Sequence, residues 1–173
     1  MVVSIRPFRK EDIPDKVRWI NDPEVNRFLH YDLPLEQQKT ERWFETVKDR
    51  TDRYDAVIEA DGQACGLTGL LNIDRKTGKA ELYISLGEPA LGGRGIAAAA
   101  CRLLLAEAFA ERGLNRVYLY TETGNLRAQR LFERLGFRRE GCLREDILSH
   151  GTPADRYVYG MLRRDFQKGE QEP

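Results

Sequence analysis

The spacing of apolar residues changes along the chain, and each change marks a boundary between predicted elements. Residues 3–8, with Val3, Ile5 and Phe8 among polar neighbours, read as a short strand. Arg9, Lys10, Glu11 and Asp12 lead into a helical segment carrying Ile13, Val17, Trp19 and Ile20, punctuated at Pro23. Residues 21–32 mix turn formers with Val25, Phe28, Leu29 and Tyr31, which predicts a short helix and then a loop. Residues 35–50 return to helical spacing through Trp43, Phe44 and Val47.

The pattern then shifts to strands at residues 54–60, 65–73 and 80–86, separated by turns at Asp61-Gly62 and around Lys76-Thr77-Gly78. Asp-Gly between two such runs is a hairpin signal, so this stretch predicts an antiparallel meander. A glycine cluster opens the next segment, followed by an alanine-rich helix over residues 97–112 that stops at Gly113. A strand at 116–121, a helix at 125–135 ended by Gly136, and strands at 139–149 and 155–162 around a His150-Gly151 turn complete the order. Residues 1–166 are expected to make one domain, with residues 167–173 as a frayed tail.

Composition narrows the function. The chain of 173 residues is 41% hydrophobic and 32% charged, with 28 basic and 28 acidic residues, so no net charge draws it toward nucleic acid. No run approaches the roughly 18 apolar residues of a membrane helix. The start, MVVSIRPFRKEDI, lacks the apolar core of a secretory signal, so the expected place is the cytoplasm, with no membrane partner. Cys65, Cys101 and Cys142 are too scattered for a disulfide framework or zinc site and are expected in the core, and two histidines cannot make a multi-histidine centre. No metal is expected.

The segment GGRGIAAAA, residues 92–100, holds the candidate chemistry. A nucleoside-triphosphate loop would need a lysine and a hydroxyl after its last glycine, and Gly93-Arg94 supplies neither. Gly93-x-Gly95-x-x-Ala98 matches a dinucleotide fingerprint, with Glu122 near the place of a ribose-binding acid, but that fold wants repeated strand-helix-strand crossovers rather than flanking hairpins. A third reading has the N–H groups of Gly92, Gly93, Arg94, Gly95, Ile96 and Ala97 receive a pyrophosphate at the helix N-terminus. A permissive turn at an ordinary helix entry is the plain alternative.

With these residues in view, the chain resembles the GCN5-related N-acetyltransferase (GNAT) superfamily, similar in its opening SIRPFRKEDI and closing hairpin to the ribosomal-protein N-terminal acetyltransferase branch. Its acyl-CoA loop is Gly92-Gly93-Arg94-Gly95-Ile96-Ala97, with Gly92 where the family has Gln or Arg. A second signature is Asn125-Leu126-Arg127-Ala128 followed by Gly136-Phe137. The resemblance implies a mixed α/β (α+β) GNAT fold: a twisted, mostly antiparallel sheet of about seven strands with helices on both faces. It also implies an acetyl-CoA-dependent N-acetyltransferase whose acceptor is a primary amine, either a protein N-terminus or a small molecule such as an amino sugar.

The resemblance also assigns roles. Ile84, Ser85 and Leu86 would grip the pantetheine arm, Asn125 and Ala128 would flank it, and Arg94 and Arg130 would meet phosphates. Alternation places Glu81, Tyr83 and Ser85 on one strand face, and Tyr118, Tyr120 and Glu122 on another. Glu81 would be the base, acting through water, with Tyr83 and Tyr120 as candidate proton donors; each is equally readable as a packed or salt-bridged strand residue. His30, Tyr31 and Glu122 are placed against the acceptor. Phe132 is placed among the cofactor-binding residues and stands where relatives often carry a tyrosine acid, which leaves open a catalytically weak acyl-CoA sensor; a homodimer through an exposed last-strand edge is expected as an alternative to a monomer.

Overall fold

A computed structural model describes residues 1–169. A 3-10 turn at Lys10–Asp12 follows strand β1 (Val3–Pro7), and helices α1 (Ile13–Asn21), α2 (Pro23–Asn26) and α3 (Gln37–Val47) come next. Strands β2 (Tyr54–Ala60), β3 (Gln63–Asp74) and β4 (Lys79–Leu86) form the meander. Helix α4 (Ile96–Ala106) continues into a π-helical turn at Glu107–Glu111, and then come β5 (Arg116–Glu122), α5 (Leu126–Arg134), β6 (Arg138–Ser149), β7 (Thr152–Leu162) and α6 (Arg163–Gly169).

Seven strands form one sheet in the order β1-β2-β3-β4-β5-β7-β6. Every neighbouring pair is antiparallel except β4 and β5. The loop-helix segment thus lies between hairpins, and the repeated parallel crossovers that a dinucleotide fingerprint requires are not there.

Helices cover both faces because the strands alternate. On one face Trp19 and Ile20 of α1 pack with Val57, Leu67 and Tyr83. On the other, Leu104 and Leu105 of α4 join Leu82, Val117, Leu119, Phe132 and Tyr159 in the largest core cluster. Burying side chains of this size stabilises the domain by about 1.5–3 kcal/mol each, so the two apolar faces fix which helix lies on which side.

Three expectations change. The long helix ends at Ala106, and its last turn widens to π geometry over Glu107–Glu111, which still buries Ala108 and Phe109. Cys65 and Cys101 are buried, whereas Cys142 is exposed on β6. Phe166 packs on Phe109 with ring centroids 5.5 Å apart, anchoring α6, which takes in residues 167–169 of the stretch expected to fray. The rest of that expected tail, residues 170–173, lies outside the described residues.

Candidate active site

The site sits where two strands part. β4 and β5 share register at three positions, Lys79↔Arg116, Ala80↔Val117 and Glu81↔Tyr118. Past Glu81, β4 stays paired with β3 as far as Leu86, and β5 stays paired with β7 as far as Glu122. A wedge therefore opens between residues 82–86 and 119–122. The Gly87 N–H donates to the Cys65 carbonyl at 2.8 Å, and the Tyr83 carbonyl accepts from Thr68 on the β3 side. Antiparallel alternation then turns the main-chain groups of Ile84 and Leu86 into the wedge and those of Ser85 toward β3.

The chain enters α4 from the open end of this wedge. Gly93 and Gly95 both have φ of +80°, and a Cβ on either would meet nothing within 4 Å. Their missing side chains relieve left-handed strain and leave open space above the loop. Among the described residues, no acceptor takes the N–H groups from Gly93 to Ala98; the first helical bond runs from Ala99 to the Gly95 carbonyl at 3.0 Å. Gly95, the N-cap, has no side chain to satisfy them. Six free amides at the positive end of an 11-residue helix are arranged to suit an anion.

The other glycines of this stretch serve the protein itself. A Cβ on Gly87 would collide with the Trp19 indole, whose Nε1 donates to Glu88 at 2.8 Å. A Cβ on Gly92 would lie 2.6 Å from a terminal nitrogen of Arg127, so that guanidinium reaches across from α5 to the loop. Ile96 buries its side chain, while Arg94 and Arg130 are exposed. The Asn125 carboxamide accepts from the Ala128 N–H at 3.2 Å and caps α5. On β5, at the wedge margin, the buried Thr121 hydroxyl has no hydrogen-bond partner.

Glu81 lies at the crotch of the wedge. Asn72 donates to its carboxylate at 3.1 Å from a bulge in β3, where Asn72 adopts φ +50° and the register slips. Bulges re-aim side chains in this way, and Asn tolerates the left-handed conformation. Burial raises the Glu81 carboxyl above the usual range, with the Asn72 bond pulling the other way. Tyr118 is its register neighbour, and burial followed by the nearby Glu81 charge raises that phenol as well. Tyr120 meets Tyr118 edge-on at 5.9 Å and lies under the Arg156 guanidinium at 4.4 Å.

The remaining expected residues divide. His30 and Glu122, 92 positions apart, come together: the His30 Nε2 lies 2.7 Å from a Glu122 carboxylate oxygen. Tyr31, the next residue, instead lies over the buried Lys16 ammonium at 5.8 Å. Tyr83 donates to Asp55 at 2.7 Å, and Asp55 also takes both arms of Arg53, so this hydroxyl is engaged in a buried network away from the Glu81 cluster. Phe132 is 5% exposed, packed on Phe137 and Tyr159, which makes it core.

Sequence reasoning missed Asn72, Thr121 and Lys16. The Asn within LLNID signals a bulge, and Lys16 stands in the apolar stripe between Ile13 and Ile20; no sequence signal marks Thr121. Lys16 is 7% exposed, and its ammonium sits 3.4 Å from the Trp43 ring centroid with Phe8 and Tyr31 around it.

A parted sheet with an uncapped helix N-terminus at its mouth suits an extended ligand that carries an anionic group at one end. The chain belongs to the acetyltransferase (GNAT) domain family, whose model matches residues 3–138. It is 36% identical over 107 residues to a putative ribosomal N-acetyltransferase of Bacillus subtilis, a match covering 62% of this chain and 58% of that relative. It is 28% identical over 151 residues to the spermidine N(1)-acetyltransferase of Escherichia coli, covering 86% of this chain and 80% of the relative. The spermidine N-acetyltransferase of Vibrio cholerae, solved with CoA and spermine, superposes with a TM-score of 0.89 at 23% identity, covering 95% of this chain and 98% of that one. The mixed α/β architecture is the GNAT fold, and the chain is an acetyltransferase that uses acetyl-CoA.

The residues present fit that group. Free amides, an open cradle over Gly93 and Gly95, and an orphaned hydroxyl at Thr121 are the features a phosphate-bearing, amide-rich carrier would satisfy.

Proposed function

We propose that this chain transfers acetyl to the nitrogen of a primary amine, on a protein N-terminus or a small molecule such as an amino sugar. The observation that carries the reading is the wedge between β4 and β5, with Glu81 at its crotch and six unpaired amides at its mouth. Acetyl-CoA supplies an activated acetyl group as a thioester. The N–H groups from Gly93 to Ala98 would hold its pyrophosphate, and Arg94, Arg127 and Arg130 its remaining phosphate charge. The main-chain groups of Ile84 and Leu86 would hold the pantetheine arm, with Thr121 and the free amide nitrogen of Asn125 completing its contacts.

Glu81 takes the proton of the acceptor nitrogen through water, a role suited by its raised carboxyl. Tyr118 and Tyr120 line the same face and are the phenols open to the acceptor, whereas Tyr83 is committed to Asp55. No helix among the described residues is long and apolar enough to cross a membrane. Three unpaired cysteines suit a reducing compartment, and the cytoplasm is part of this proposal. So is a homodimer through the free edge of β6, the last strand of the sheet; sedimentation finding only monomer would remove it.

The test is thiol release from acetyl-CoA with N-terminal peptides, glucosamine and spermidine as separate acceptors, alongside calorimetry with CoA. Release that requires one class of amine supports the reading and names the acceptor. Uptake of CoA with no release for any amine would make the chain an acyl-CoA sensor, and no uptake would remove the site.

A further inference from the structure

The contact between His30 and Glu122 is a carboxylate–imidazole pair outside the Glu81 cluster, built from two segments that no local pattern links. Glu122 is the last residue of β5, at the open end of the wedge, and is 7% exposed. It shares a strand face with Tyr118 and Tyr120, and hence with Glu81, the register neighbour of Tyr118. Its main chain is fixed as well, since its carbonyl accepts the Asn125 N–H at 2.9 Å where the chain turns into α5.

His30 arrives on the segment between α2 and α3, which crosses this face as a tethered strap. Asn21 clamps the strap at Leu35 through bonds of 2.9 and 2.7 Å, and His150 at the tip of the β6–β7 hairpin bonds the Arg27 carbonyl at 3.1 Å. The His30 side chain is about a quarter exposed, so the pair joins a sheltered carboxylate to solvent. The charged and titratable groups around it are Arg27 and Tyr31 of the strap and its approach, Tyr120 on β5, Arg156 opposite Glu122 on β7, and His150.

A carboxylate accepts hydrogen bonds, so the neutral imidazole places its proton on Nε2 toward Glu122. Nδ1 is then left with its lone pair, and no protein donor fills it among the described residues. We infer that His30, held in this tautomer by Glu122, accepts the proton that a cationic acceptor must lose on entering the site. One N–H bond of the ammonium breaks, its electron pair stays on nitrogen, and the proton moves to His30 Nδ1 and on to solvent. Glu81 serves the second proton, lost once the nitrogen has bonded to the acetyl carbon. This rests on the amine acetyltransferase reading above and adds the group that readies the amine.

Two measurements test it. The chain has two histidines, so nitrogen-15 spectra of the imidazoles with and without His30→Gln assign each signal. The expected neutral His30 carries its proton on Nε2; a proton on Nδ1 overturns the proposal with no turnover required. The second uses acetyl-CoA with spermidine or a free N-terminal peptide as acceptor. His30→Gln should lower kcat/KM by about 10²-fold at neutral pH, as general-base losses do, and the deficit should shrink as alkali frees the amine. CoA affinity should hold. Glu122→Gln should produce a similar deficit by releasing the tautomer, and the double variant should be no worse than His30→Gln. A deficit constant with pH, or additive losses, overturns the pair; should His30→Gln fail to fold, Glu122→Gln carries the same pH test. If the wild-type chain releases no thiol with these acceptors or with glucosamine, it is the primary-amine reading that fails, while the tautomer measurement still judges the pair.

Discussion

The two sides of the wedge are built from different material. The donor side is main chain: free amides from Gly93 to Ala98, edge groups of Ile84 and Leu86, and two glycines with open space above them. The acceptor side is side chain, with Glu81 held by Asn72, Glu122 beside His30 and Tyr120 under Arg156. A main-chain receptor binds what every substrate shares and loses little when one side chain changes. On the proposed reading a side-chain wall would set which amine is taken, and each of its members can be altered alone.

The largest effect should come from breaking the donor side at its backbone. Gly95→Val puts a branched residue at φ +80°, where left-handed strain costs about 1–2 kcal/mol. The Cβ itself meets no protein atom, so folding survives. It does enter the space above the free amides, and CoA affinity measured by calorimetry should fall by more than about 100-fold. Unchanged affinity in a folded variant would move the phosphate site elsewhere.

On the acceptor side, Glu81→Gln should lower kcat by about 10²-fold with CoA affinity kept. In the wild type the acid limb of the rate profile should lie above the usual carboxylate range, because burial raises the Glu81 carboxyl and only its ionised form takes a proton. That limb should vanish in Glu81→Gln; a profile with the limb intact would exclude Glu81 as the base.

Lys16 probes the wall behind the acceptor face by stability rather than rate. Burial lowers its pKa from 10.5 to about 8. The unfolded chain therefore holds this proton at pH values where the folded chain has lost it, and this group makes stability rise with pH from about 8. From about pH 9 the trend reverses, since burial raises the thiols of Cys65 and Cys101, the latter to about 12, while unfolded cysteines ionise, and the buried Tyr83 phenol adds to this at higher pH. The Lys16 shift corresponds to roughly 3 kcal/mol at neutral pH, offset in part by about 0.5–2 kcal/mol of attraction to the Trp43 ring. Lys16→Met should thus raise stability at pH 7 by about 1 kcal/mol and flatten the alkaline rise in denaturant melts. A variant that keeps the rise would assign it to another group.

The smallest expected change is at Arg127. Its exposed guanidinium over Gly92 should contribute about 1 kcal/mol to phosphate binding, so Arg127→Ala should weaken CoA about fivefold, less at high salt. An equal loss at all salt concentrations would point to packing instead.

The comparison also explains what could be read in advance. The meander and both helices behind the wedge were legible because period, turn residues and caps are local. Strand β2 falls on the expected residues 54–60, and Asn125 caps α5. The glycine loop was only partly legible: Gly87 and Gly92 make room for Trp19 and Arg127, contacts no local rule foresees. Side-chain partners across the sheet were the least legible. Tyr83 shares a face with Glu81, yet Asp55 on β2 claims its hydroxyl. Phe132 sits on the predicted helix but turns into the core. Helix α6 was missed because seven residues carry too little period to separate a helix from a tail.

The short seam between β4 and β5 has a mechanical consequence. Three rungs join a four-stranded leaf to a three-stranded leaf, and past Glu81 no main-chain bond crosses between them. The molecule is hinged like a book along that seam, with the cluster of α4 and α5 as its spine. A molecule lying in the gutter and bonded to both pages would act as a splint, so occupancy should stiffen the whole sheet rather than the pocket alone.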